Sequence, residues 1–251
     1  MGAGIGVGVG ALRAAAAFPR DSRDVGAVLA LYVLYAAVMW GRNMRPRMPR
    51  ALAVLYNAAL SVHSLVFFVA LLVTLVGHAR AHSLWHLSCA ADALASDATL
   101  AMLYRLHTTM RIVELLDTVL IVHSSRPLTF LHVWHHAATL ALAHLQIVDA
   151  TPLQWLTLLL NAAVHAVMYA FYALSAVGAP PRWKRAVTVA QIAQFCAILG
   201  VYGGVAAARA LGALECYATA RAAAAAFFVL ASYLVLFLRF YARAYRGAKR
   251  D

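Results

Sequence analysis

Charge is what this chain has least of. Only 12% of its 251 residues are Asp, Glu, Lys or Arg, and just nine are acidic. A soluble domain carries nearer a quarter of its residues charged, and no hydrophilic stretch here is long enough to fold as a separate soluble domain. Three cysteines exclude a disulfide scaffold and leave room for one bridge. The Gly/Ala-rich opening has no basic n-region, so it does not read as a signal peptide. Gly6 stands where a myristoylation pattern needs Ser or Thr. No basic and aromatic stripe lies outside the apolar segments, which excludes nucleic acid as the partner of the +12 net charge.

What the chain does have is apolar surface: 64% of its residues. Water offers no place to bury that much, whereas a bilayer does. Spans of about 20 residues each fit the length as one helical bundle with short loops. The expected fold is therefore all-α, a polytopic membrane protein with seven transmembrane helices. The segments run near Val25–Trp40, Ala51–Gly77, Leu100–Val122, Leu128–Val148, Leu153–Val177, Ala186–Ala207 and Ala218–Leu238. Pro127, Pro152 and the Pro180–Pro181 pair mark boundaries, since proline cannot donate to a continuing helix. Residues 1–24 read as a disordered tail, 25–242 as the membrane domain and 243–251 as a basic cytosolic tail.

Positive charge alternates between loops. Arg42, Arg45, Arg47, Arg50, Arg126, Arg182, Lys184, Arg185, Arg239, Arg243, Arg246, Lys249 and Arg250 fall on one side. The opposite loops carry Arg80 and Arg209. Positive loops stay inside, which places the C-terminus in the cytosol. Arg13, Arg20 and Arg23 of the first tail run against this pattern, beside Asp21 and Asp24. Cys89 and Cys216 both fall in non-cytosolic loops, where a disulfide is permitted. Cys196 lies mid-span and reads as a small core residue.

Ionisable groups in a span cost several kcal/mol, so they face a partner or a wet cavity. The third segment carries His107, Arg111, Glu114 and Asp117 on roughly one helical face. They form either a structural ion pair or a site wall. The fourth begins with His132, His135 and His136, whose i, i+3, i+4 spacing makes one stripe. Metal ligation, acid–base work and nucleophilic attack are all open to these imidazoles. Asn161, His165, Met168, Tyr169 and Tyr172 follow on the fifth, and Gln191 and Gln194 on the sixth. Four successive polar stripes at similar depth are most simply explained by one enclosed polar chamber.

These residues fall into ordered motifs. Tyr56 and Asn57, with Ser61 and Ser64, look like the second-span signature of the very-long-chain fatty acid elongase (ELO) family. Arg111, Glu114, Asp117 and Thr118 resemble its KxxExxDT motif. Phe130, Leu131, His132, His135 and His136 are similar to its FLHxxHH box. Asn161, His165, Met168 and Tyr169 resemble NxxxHxxMY, Gln191, Gln194 and Phe195 resemble QxxQF, and Leu236, Phe237, Phe240 and Tyr241 resemble LFxxFY. The likeness covers about residues 50 to 245. Departures are Arg111 in place of the family's lysine, which excludes a role needing a deprotonated amine, and Ser124–Ser125 in place of a basic pair. Lys249 alone stands at the position of a dilysine retrieval signal.

The resemblance implies a 3-ketoacyl-CoA synthase, an acyltransferase of the endoplasmic reticulum membrane, with a six-helix bundle enclosing a buried acyl-CoA site. It would join acyl-CoA and malonyl-CoA into 3-ketoacyl-CoA, CO2 and CoA, with no cofactor beyond these substrates and no metal. His135 would be the nucleophile that holds the acyl group. His132 and His136 would orient it or move protons, and His165 would support them. Arg111, Glu114, Asp117, Asn161, Tyr169, Gln191 and Gln194 would line or bind substrate, and Arg126, Arg182, Lys184, Arg185, Arg239 and Arg243 would attract the CoA phosphates. Expected partners are membrane lipids and the reductases and dehydratase of elongation, and homodimerisation is open. One rival is a membrane di-iron desaturase or hydroxylase, since imidazole suits iron and His78, His82 and His86 add an HxxxHxxxH run. A transporter or receptor is the other, without evident repeats or broken helices to support it.

Overall fold

The computed structural model describes residues 22–42, 48–93, 96–124 and 126–245. Among these are nine helices and no strand. They are α1 (Ser22–Met39), α2 (Arg50–Ala81), α3 (Leu84–Cys89), α4 (Ala98–Val113), α5 (Leu116–His123), α6 (Phe130–Val148), α7 (Gln154–Val177), α8 (Lys184–Ala210) and α9 (Ala220–Tyr245). Five of them, α1, α2, α7, α8 and α9, are long and apolar enough to cross a membrane. The third and fourth predicted segments map to α4–α5 and α6. A break divides the former, and four histidines and a glutamine lower the hydropathy of the latter. Arg13, Arg20, Arg45, Arg47, Ser125, Arg246, Lys249, Arg250 and most of the predicted first tail lie outside the described residues. Helix α1 starts three residues inside the boundary expected for that tail, and α9 runs three residues past 242.

Neighbouring helices are easily traced. Helix α2 lies along α7 and touches α4; α4 meets α6; α6 meets α9; α9 meets α8; and α8 returns to α7, while α1 packs on α6. Apolar clusters cement these contacts. Phe67, Leu71, Leu100, Tyr104 and Leu158 fill the space among α2, α4 and α7. Ala138, Phe195, Ile198, Ala226 and Tyr233 do so among α6, α8 and α9. Small residues at the second cluster let the backbones approach. Large apolar side chains such as Leu34, Val66, Val73, Phe228 and Val235 face outward, as expected of helices solvated by lipid. Cys196 also faces outward, on α8. It is not the core residue its mid-span position suggested, because depth in a span does not say which face of the helix a residue occupies.

Local chemistry sets the helix ends. The Thr129 hydroxyl accepts from the His132 backbone N–H at 3.2 Å, an N-cap that starts α6 three residues before its first histidine. Helix α7 ends at Gly178, whose φ of +96° only glycine adopts without strain. The third segment does not continue as a regular helix. Leu115, Asp117 and Thr118 donate their N–H groups three residues back, to Ile112, Glu114 and Leu115, the tighter 3₁₀ pattern.

One end of the molecule is tied shut. Cys89 and Cys216 form a disulfide across 127 residues of sequence, and Tyr217 N–H donates to the Cys89 carbonyl at 2.9 Å. Asp149, which ends α6, accepts from the Thr219 hydroxyl and from the Arg221 guanidinium. Nothing in the sequence motifs points to this pair, whose partners are separated by two helices. The Arg221 guanidinium holds the Asp149 carboxyl below the usual carboxylate range. A depressed native pKa contributes stability above the unfolded value and loses it as pH falls through the native one. Arg221→Met is therefore expected to lower the thermal midpoint at neutral pH. The gap to the parent protein should close as pH drops below about 4, as melting curves across pH would show.

Candidate active site

Three polar pairs cross from the α4–α5 segment to α7. Arg111 donates to Asn161 Oδ1 at 3.2 Å, Glu114 Oε1 lies 3.3 Å from His165 Nδ1, and Tyr169 donates to Asp117 Oδ2 at 2.7 Å. The spacing is three residues on one side and four on the other. Arg111 to Glu114 is still α-helical, but Glu114 to Asp117 lies in the tightened stretch, where three residues of 3₁₀ helix rise about 6 Å, as four of α-helix do, so that second step stays in register. That accounts for the break in the third segment. Arg111 also pairs with Glu114 at 2.7 Å, both nearly excluded from solvent.

The α6 histidines attach to the same segment. His132 Nε2 lies 2.9 Å from the Thr118 hydroxyl, which Tyr32 of α1 contacts at 3.0 Å. His136 Nε2 is 3.7 Å from Asp117 Oδ2. The His132 and His136 rings sit 4.4 Å apart. His135 points to the other flank, with its ring 4.9 Å from that of Tyr233 and edge-on to Phe237. Tyr233 donates to the His135 carbonyl at 3.0 Å. Neither Tyr32, Thr118 nor Tyr233 was singled out from the sequence as a site residue. Thr118 alone carried a signal, as the last letter of a motif.

A cavity of about 1130 Å³ joins these groups, above the roughly 300–1,000 Å³ of an ordinary small-molecule site. Its deep wall carries Asp117, His132, His135, His136, Asn161, His165, Tyr169, Gln191 and Gln194, with Phe195 and Phe237 beside them. Gln191 donates to Met168 Sδ at 3.3 Å, and the buried Gln194 Oε1 has no partner among the described residues. Arg50, His123, Arg126 and Lys184 line the same cavity near the helix ends opposite the disulfide. Arg111 and Glu114 lie behind the lining. Arg182, Arg185, Arg239 and Arg243 are exposed at the same end but outside it. Arg185 instead donates to the Tyr241 hydroxyl at 2.8 Å. His107 is buried against Phe67, with its Nε2 unpaired among the described residues and away from the cavity.

Among the cavity imidazoles, His135 differs. His123 is held by the Val119 carbonyl, His132 by Thr118, and His165 by Glu114, while His136 approaches Asp117. Neither ring nitrogen of His135 makes a hydrogen bond among the described residues. His136 makes no hydrogen bond either, but His135 is the one cavity imidazole with neither a hydrogen bond nor a carboxylate within 4 Å among the described residues. His78, His82 and His86 stand elsewhere: His78 is 28 residues along α2 from Arg50, about 42 Å at the helical rise. The two histidine groups therefore do not form one site.

Five membrane-length helices, with imidazoles lining an interior cavity, mark this protein as a multi-pass membrane protein. The comparison with known sequences is more specific. The model of the GNS1/SUR4 (ELO) family matches residues 21–251, and the chain belongs to that family. It is 32% identical over 238 residues to a Schizosaccharomyces pombe protein named "Putative fatty acid elongase 1", covering 89% of this chain and 71% of that one. It is 27% identical to fatty acid elongase A of Dictyostelium discoideum, over 86% and 80% of the two chains. To very long chain fatty acid elongase 6 of Drosophila melanogaster it is 29% identical, over 84% and 70%.

The buried pairs make a stability test. Glu114→Gln leaves the Arg111 guanidinium buried without its counter-charge. Breaking such a pair from one side costs roughly 3–5 kcal/mol. The variant should unfold at markedly lower temperature in detergent than the parent, with a smaller loss for Asn161→Ala.

Proposed function

We propose that this protein is the condensing enzyme of fatty acid elongation. It joins acyl-CoA to malonyl-CoA through an acyl group held on His135, giving 3-ketoacyl-CoA, CO2 and CoA. The observation that carries this reading is the His135 imidazole, which lines the cavity with neither a hydrogen bond nor a carboxylate neighbour among the described residues. Family membership and the elongase relatives supply the reaction class.

The chemistry follows from the groups present. A lone pair on His135 attacks the thioester carbonyl and CoA leaves with the ring proton, so the acyl–sulfur bond is replaced by an acyl–nitrogen bond. Malonyl-CoA then loses CO2, and the resulting enolate attacks the acyl carbon and displaces the imidazole. His132, held by Thr118, and His136, beside Asp117, orient His135 and relay protons. Asn161, Gln191 and Gln194 supply polar groups for the enolate or oxyanion. Arg111 and Glu114 act from behind by positioning Asn161 and His165. A cavity shielded by helices protects an acyl-imidazole from hydrolysis.

In this reading the pairwise helix contacts describe one bundle of six, with α1 outside it. The α4–α5 segment and α6 complete seven crossings, and the open end faces the cytosol with the C-terminus. Arg50, Arg126 and Lys184 at that opening attract the CoA phosphates, with Arg182, Arg185, Arg239 and Arg243 adding positive field around it. The setting is the endoplasmic reticulum membrane, beside the reductases and dehydratase that process a 3-ketoacyl product.

Acyl-CoA alone should release one equivalent of CoA and leave acyl mass on the peptide containing His135. His135→Ala should abolish both and lower condensation by at least about 10³-fold. Condensation by that variant at the parental rate would refute the assignment.

A further inference from the structure

A second imidazole cluster lies at the closed end of the molecule, and the chemistry proposed above does not use it. His78, in the last turn of α2, is 4% exposed. Its Nδ1 lies 3.3 Å from Asp97 Oδ2, and its Nε2 faces His86 Nδ1 at 3.1 Å. His86, on α3, sets its own Nε2 3.2 Å from Asp92 Oδ1. Asp97 is held in place because its other oxygen caps α4, accepting from the N–H groups of Thr99 and Leu100 at 3.0 Å each.

Carboxylates only accept hydrogen bonds, and a neutral imidazole carries one donor and one acceptor nitrogen. Asp97 therefore takes the proton of His78 Nδ1, which leaves the His78 Nε2 lone pair facing His86 Nδ1 at 3.1 Å. Either the His86 Nδ1–H fills that contact, or a metal ion displaces the proton and binds both nitrogens. Two nitrogens bound to one tetrahedral zinc at 2.0–2.1 Å lie about 3.3 Å apart, close to the separation observed. A ligating histidine whose second nitrogen donates to a carboxylate is also the usual outer-shell arrangement at metal sites, and Asp97 supplies it to His78.

We propose that His78 and His86, joined by His82, bind one divalent transition-metal ion of the zinc type. Imidazole ligands select zinc, copper or nickel over magnesium or calcium. His82 lies one turn after His78, and its exposed ring stacks 4.9 Å from both other rings. No three such side chains among the described residues are already set as a metal group. The missing element is a third nitrogen, which the exposed His82 side chain supplies by turning. The ion ties the end of α2 to α3 beside the Cys89–Cys216 bridge, with Asp97 linking it to the start of α4.

The test uses the full chain in detergent, without a polyhistidine tag and stripped with chelator. Zinc titration with metal analysis should find one equivalent bound through this cluster. His82→Ala, which alters an exposed ring, should weaken that binding by about 10–100-fold, as should Asp97→Asn through the outer shell. His82→Ala with His86→Ala should remove one equivalent. Zinc should also raise the thermal midpoint of the parent and not of the double variant. If the parent binds no zinc, the His78–His86 contact is an ordinary imidazole hydrogen bond and the proposal is wrong. If the double variant keeps the parental stoichiometry and affinity, zinc lies elsewhere, among the cavity histidines, and the proposal is equally wrong.

Discussion

The ladder of Arg111–Asn161, Glu114–His165 and Asp117–Tyr169 is the constraint on which the interior depends. A cation and an acid, Arg111 and Glu114, are buried there beside the half-buried Asp117, and the buried charges are tolerable only while their partners remain in place. A short tightened turn matches the Glu114–Asp117 step to the four-residue step from His165 to Tyr169 on α7. From this ladder the rest of the chamber follows. Its α7 members face the cavity, Thr118 reaches across to α6 and holds His132, and Asp117 stands 3.7 Å from His136. His135 lies beyond the reach of these anchors, against aromatic rings, and keeps both nitrogens free.

The two ends of the bundle have opposite character. At one, a disulfide and the Asp149–Arg221–Thr219 group cross-link segments that are distant in sequence, and the His78–His86 contact joins two successive helices. At the other, helix ends bearing Arg50, Arg126 and Lys184 stand around the cavity with few side-chain links between them. The open end thus presents positive charge at the mouth of the cavity, and the other end is tied shut. The apolar residues that face outward hold this arrangement in lipid, while polar groups are gathered inside, the reverse of a water-soluble fold.

Much of this was legible in the chain. The histidine stripe of α6 and the Asn161–His165–Tyr169 stripe of α7 show because helical period alone places such residues on one face, and ionisable groups stand out against so apolar a background. Other features were hidden. The interruption at Glu114–Leu115 leaves no proline or glycine behind, since it arises from matching a neighbouring helix. Cys196 sits at mid-depth in a span yet faces outward, because the sequence of α8 is apolar nearly all round. Asp149 and Arg221 find each other only when α6 and α9 end side by side.

The amino-acid sequence by itself determined an all-helical membrane architecture, the family, and the residue types that meet in the interior, because hydropathy and period are local properties of the chain. Only the tertiary structure decided which imidazole is left unengaged, which arginines reach the cavity and which of its polar stripes pair. Those outcomes depend on the register and rotation of helices against one another, and these are set by contacts between residues as much as a hundred positions apart.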